Sequence, residues 1–179
     1  GLGSALWLAG LWPDGRSLAF GNVDVGGWRS DFAIGSRAAN PYVRARVARH
    51  GLLALAKSEA VYFTRARDDA GAPLREDCTY RLSGGPMPAG WWSVTLYDGQ
   101  SMLPANTDGA LSIDASRAGK GAWEAVIAPQ RPDDGTLWIS SREAERFDLT
   151  LRLYMPSAAL LANPNAALDP PRIARISCE

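Results

Sequence analysis

Histidine is the scarcest reactive group here: His50 stands alone among 179 residues. A Ser-His-Asp or Cys-His hydrolase would have to use it as base. On a helical wheel it falls on the polar side of a helix expected over residues 41–57, where an exposed side chain is the ordinary outcome. No G-x-S-x-G elbow, phosphate loop or dinucleotide-binding glycine pattern occurs. Cysteine is nearly as rare. Cys78 and Cys178 are too far apart for a C-x-x-C redox pair, and with one histidine they supply no compact zinc set. Net charge is missing too, since 19 Lys and Arg offset 19 Asp and Glu. Whole-molecule attraction to nucleic acid is therefore not expected. The apolar run Gly1–Trp12 falls short of the roughly 20 residues that span a bilayer.

What is present is aromatic and alternating. Hydrophobic residues make up 46% of the chain and tryptophan occurs seven times, enough for one domain with a substantial core. In Trp91–Asp98, WWSVTLYD, Trp92, Val94 and Leu96 fall on one face of a strand, and Trp91, Ser93, Thr95 and Tyr97 on the other. Phe147–Met155 repeats the pattern: Phe147, Leu149, Leu151, Leu153 and Met155 alternate with Asp148, Thr150, Arg152 and Tyr154. Further strands are expected at Val61–Thr64, at Cys78–Leu82 as the hairpin partner of that strand, and around Leu111–Ile113, Trp123–Ile127 and Leu137–Ile139. Turn residues separate them at Asp68–Gly71, Asp98-Gly99, Thr107–Gly109 and Asp133–Gly135.

The N-terminal part reads differently. The chain begins at Gly1 rather than Met, and residues 1–12 read as the end of an export signal or a membrane anchor, with a core segment as the alternative. Residues 13–39 are an irregular, glycine-rich lead-in anchored by Trp28. The domain proper is expected over residues 40–179, opening with Asn40 as N-cap and Pro41 as the first residue of an amphipathic helix. No acid lies between Asp31 and Glu59. Arg46, Arg49 and Lys57 on the helix's polar side could therefore face anionic lipid headgroups, or simply form a solvated outer surface. Residues 162–171 read as an extended arm leading to Ile173 and Ile176. In an exported protein the even cysteine count suggests a Cys78–Cys178 disulfide; in the cytosol the two thiols would stay unpaired. The expected fold is mainly β: a jelly-roll-like antiparallel β-sandwich with one N-terminal-side amphipathic α-helix.

The order GWWSVTLYD, then Asn106 with an Asp-Gly turn, then Leu137-Trp138-Ile139, then LTLRLYMP, resembles the family catalogued as domain of unknown function 1214. The segment NPYVRARVARHGLLALAKSEAVYF is similar to that in its short, envelope-type members. Those members carry an N-terminal hydrophobic segment and a terminal cysteine, so the resemblance implies a jelly-roll-like β-sandwich in the periplasm or cell envelope, either free or anchored at the inner membrane. It implies no catalytic residues.

Three functions follow as expectations. The first is a noncatalytic envelope module that binds a partner protein or an extended ligand. Its candidate residues are Trp91, Tyr97, Asp98, Asn106, Trp138 and Tyr154. The second is an accessory subunit of a membrane protein complex, with membrane contact through residues 1–12. The third is a carboxylate-dependent enzyme acting on carbohydrate or a small polar ligand through Asp98 and Asp114. No cofactor, metal or nucleic-acid partner is expected.

Overall fold

A computed structural model describes residues 23–30 and 55–179. Residues 1–22, most of the lead-in, and positions 41–54 of the expected helix, with Arg46, Arg49 and His50, lie outside the described residues. Lys57 is described: it is exposed, in a turn rather than a helix. There the Ala56 carbonyl accepts the N–H groups of Glu59 and Ala60.

Among the described residues, ten strands fall into two sheets. They are β1 (Val23–Val25), β2 (Trp28–Ser30), β3 (Ala60–Arg65), β4 (Cys78–Gly84), β5 (Ala89–Asp98), β6 (Ser112–Asp114), β7 (Trp123–Ala128), β8 (Leu137–Ser140), β9 (Phe147–Pro156) and β10 (Arg172–Cys178). The larger sheet has the order β1-β2-β3-β9-β5-β6 and the smaller β10-β4-β7-β8. Three short helices complete the described part: α1 (Ala115–Ala118), α2 (Ala158–Ala162) and α3 (Pro164–Ala167).

The alternation in β5 and β9 places the core. These two strands pair antiparallel, with Trp92 opposite Leu153, Val94 opposite Leu151 and Leu96 opposite Leu149. All six side chains are buried, and β3 adds Val61 and Phe63 to the same layer. The smaller sheet contributes Tyr80, Leu82, Ala125, Ile127, Ile139 and Ile173 to one shared cluster. Ring contacts join the layers directly. Trp92 of β5 stacks on Trp123 of β7 at 4.7 Å and 25°, and Tyr80 of β4 meets Phe147 of β9 edge-on at 6.0 Å. A pair of this kind adds about 0.5–1.5 kcal/mol beyond its buried area.

Trp28 is the anchor that the lead-in was expected to supply. It is fully buried, and its indole N–H donates to the Pro171 carbonyl at 2.8 Å. The Gly26-Gly27 turn before it needs two consecutive left-handed residues, and both glycines have positive φ. Cys78 and Cys178 form the disulfide, at directly opposed positions of β4 and β10. Near that strand pair the two sheets are also joined by charge. Asp69 binds Arg65 of β3 at 2.8 Å and Arg172 of β10 at 3.4 Å, and the buried Asp68 faces Arg175 at 3.4 Å.

Several expectations are corrected. Strand β4 is not the hairpin partner of β3. Both edges of β3 are taken by β2 and β9, and the turn at Asp68–Gly71 sends the chain across to the other sheet. The pairing is not antiparallel throughout: β7 and β8 run parallel, because residues 129–136 carry the chain back before β8 begins. The arm over 162–171 is not extended at its start. Ser157 and Asn163 cap α2 and α3 with their side-chain oxygens, and Pro164 occupies the first turn of α3. Met155 leaves the core row. Its φ of 49° turns the side chain outward, where it is 65% exposed. Of the terminal apolar pair, Ile173 is buried and Ile176 is 52% exposed.

Candidate functional site: the outer face of the larger sheet

The residues that alternate with the core rows build the opposite face. The register sets them side by side: Ala60, Tyr154 and Trp91 in one row, then Tyr62, Arg152, Ser93 and Asp114, then Thr64, Thr150, Thr95 and Ser112, then Asp148 and Tyr97. Trp91 and Tyr154 are cross-strand neighbours with ring centroids 5.4 Å apart, tilted by 57°. The indole N–H of Trp91 donates to the Ser116 hydroxyl at 3.3 Å, which ties the ring edge to α1. That helix exists because the Asp114 carboxylate accepts the N–H groups of Ser116 and Arg117.

Arg152 sits in the middle of the face. It donates to the Thr95 hydroxyl at 2.9 Å and to the Tyr97 hydroxyl, and its guanidinium carbon lies 5.4 Å from the Tyr97 ring centroid. The cation and the Tyr97 ring are therefore held against each other. Tyr62, Ser93 and Thr150 are buried, whereas Trp91, Tyr97, Arg152 and Tyr154 keep part of their surface in solvent. Burial, then the neighbouring Tyr154, raises the Tyr62 hydroxyl above its ordinary value; Arg152 opposes that rise. Asp148 ends the face beside Tyr97. Burial, with the like charge of Asp98 second, pushes its carboxyl up to about 7. Composition gave no hint of this. The alternation already placed Asp148 on the polar face, but its approach to Asp98 depends on the β5–β9 register.

Of the sequence candidates, Trp91, Tyr97 and Tyr154 thus come together, and Asp98, Asn106 and Trp138 lie elsewhere. The Asp98 carboxylate accepts the N–H groups of Gln100 and Met102, each at 2.8 Å, and fixes the loop after β5. Asn106 donates to the Arg142 carbonyl at 2.7 Å and accepts from the Asp108 N–H. Asp108 in turn binds Arg142 through both oxygens and accepts a hydrogen bond from the Ser140 hydroxyl at 2.6 Å. Those bonds, Arg142's first, hold its carboxyl below the usual range. Trp138 is buried in β8, its indole N–H on the Ala128 carbonyl at 2.9 Å.

Asp98 and Asp114 are no catalytic pair. Asp114 lies opposite Ser93, so five residues of β5 separate it from Asp98. At strand rise that is about 17 Å, beyond the roughly 5–9.5 Å of glycosidase carboxyls. Among the described residues no three His, Cys, Asp or Glu converge on a metal-sized site, and no helix is long and apolar enough to cross a membrane.

One end of the molecule carries an open cleft of about 1040 Å³. It lies between the loop after β5, the segment before β4, and residues 143–146. Glu76 organises its wall. Its carboxylate accepts the N–H groups of Glu143 and Glu145 at 2.8 and 2.9 Å, and both of those residues have positive φ.

Two sheets around one core, the larger with an ordered aromatic outer face, define a mainly β protein over the described residues. The chain belongs to the family described as "Protein of unknown function (DUF1214)", whose profile matches residues 59–158. The crystal structure of the VPA0106 protein from Vibrio parahaemolyticus is similar in fold, with a TM-score of 0.60 at 19% identity over 76% of this chain and 35% of that one. A crystal structure of an uncharacterized protein from Burkholderia cenocepacia matches at a TM-score of 0.48 and 14% identity, over 66% of this chain and 30% of that one. The chain thus spans about a third of the length of these structures. No curated protein matches it.

Proposed function

We propose that this chain is a noncatalytic β-sandwich module of the cell envelope that binds an extended ligand across the outer face of its larger sheet. The observation that carries this reading is the row Trp91–Tyr154 followed by Arg152–Tyr97. Its rings are partly open to solvent, yet held by cross-strand packing, by the Trp91 bond to Ser116 and by the Arg152 bond to Tyr97. Rings fixed in advance lose little entropy when a ligand stacks on them. Their spacing along the strands suits a ligand that lies along β5 and β9. The disulfide supports the envelope assignment, because such bonds persist in oxidising compartments.

The test is titration of the labelled protein with a linear oligosaccharide, chitohexaose, followed by amide and indole NMR. The expected result is a footprint on β5 and β9 that includes the Trp91 indole and is lost in W91A/Y154A. Absence of any footprint, or one that avoids both strands, contradicts the proposal.

A further inference from the structure

Large apolar side chains are exposed at few places among the described residues, and two of them are adjacent. Met102 is 61% and Leu103 is 52% exposed, at the tip of the loop between β5 and β6. The loop that carries them is built. Asp98 accepts the Gln100 and Met102 N–H groups, and its own N–H donates to the Met102 carbonyl at 2.9 Å. Ser101 adopts a φ of 64° to close the turn. Pro104 is buried just beyond the tip, and Asn106 pins the returning strand to the Arg142 carbonyl. A loop anchored at both ends holds two apolar side chains in water, a cost that a bound partner would relieve.

The ground beside the tip is acidic. Gln100 lines the 1040 Å³ cleft, whose acidic side chains outnumber Arg75 and Arg146 six to two. Some of these acids are occupied: Glu76 by backbone N–H groups, Asp98 by its own loop, and Asp77 by Arg75 at 2.5 Å. The carboxylates of Glu143 and Glu145 are exposed and have no hydrogen-bond partner among the described residues. An anionic lipid surface would be repelled by this border. A polypeptide that offers apolar side chains interleaved with Lys or Arg would be complementary to it.

We propose that the Met102–Leu103 tip and the adjoining acidic cleft form a second docking surface, distinct from the sheet face, for a basic, apolar-studded segment of a partner protein. The apolar pair supplies the anchors, and Glu143 and Glu145 set the charge preference.

The full chain is titrated with a synthetic peptide of alternating Leu and Lys, with its Leu–Glu counterpart, and with phosphatidylcholine vesicles with and without phosphatidylglycerol. The Leu–Lys peptide is expected to shift amides of residues 99–103 and 143–146. Its binding should weaken about tenfold in M102S/L103S, fall in E143Q/E145Q, and decline with salt. Equal binding of the Leu–Glu peptide, no binding of either peptide, or a footprint elsewhere overturns the proposal. So does uptake onto vesicles or self-association that M102S/L103S abolishes, because each assigns the tip to another occupant. Both variants alter exposed side chains, so unchanged circular dichroism separates a lost surface from a lost fold.

Discussion

Asp148 is the residue whose setting has the clearest consequence. Its carboxyl sits at about 7 in the folded protein, against an ordinary value of 3.8, because burial and the charge of Asp98 disfavour ionisation. The folded state therefore holds a proton that the unfolded state gives up across that interval. Stability from this group is full below about pH 4 and is lost as pH rises toward 7. Asp148→Asn removes the penalty. Partial solvent access reduces the effect, leaving an expected gain of about 1–2 kcal/mol at pH 8 and almost none at pH 4. Urea unfolding at the two pH values measures it; a gain of equal size at both would show that Asp148 ionises freely. Asn106 and Trp138 carry a different lesson. Their positions stood out in the sequence, but each bonds to a backbone carbonyl of its own chain. A side chain's partner is fixed by the fold, and residue type alone does not reveal it.

Strands β5 and β9 were legible because Trp91–Asp98 and Phe147–Tyr154 alternate without a break, and that period survives any choice of neighbour. Pairing was not legible. Strand β4 follows β3 after a good turn, which made a hairpin the local reading, yet the burial of β3 between β2 and β9 outweighs proximity in sequence. The helices α2 and α3 were missed for a smaller reason. AALLA and PNAA are good helix segments behind Ser157 and Asn163 caps, but Pro and Asn masked them. The contact between sheets makes a prediction at this scale. A Cβ at Gly84 would lie 2.6 Å from the Trp123 ring, so Gly84→Ala must displace the ring that stacks on Trp92. The expected cost is about 1–3 kcal/mol, with a changed near-ultraviolet circular dichroism. An unaltered spectrum and stability would mean that the stack is not tight.

For the molecule as a whole, the Cys78–Cys178 bond closes a loop with a sequence separation of 100. In the chain-entropy account its loss costs about 4–5 kcal/mol. All five residues of β10 after Ile173 are exposed, so the bond, the β4 ladder and the Arg175–Asp68 pair hold this end of the chain. Reduction should lower the melting temperature by roughly 10–20 °C and raise hydrogen exchange first in residues 174–178. A melting temperature insensitive to reductant would show that packing at Ile173 suffices. The proposed function assigns the two surfaces of the larger sheet different tasks: Trp92 faces the core and stacks on Trp123, while its neighbour Trp91 faces outward and pairs with Tyr154. Comparing W91A with W92A for unfolding free energy and chitohexaose binding tests that division most directly. W92A should lose about 3–5 kcal/mol, whereas W91A should lose about 1 kcal/mol and no longer bind. If W91A proves as unstable as W92A, or binds as well as the parent, the outer ring is scaffold and the sheet face is not the site.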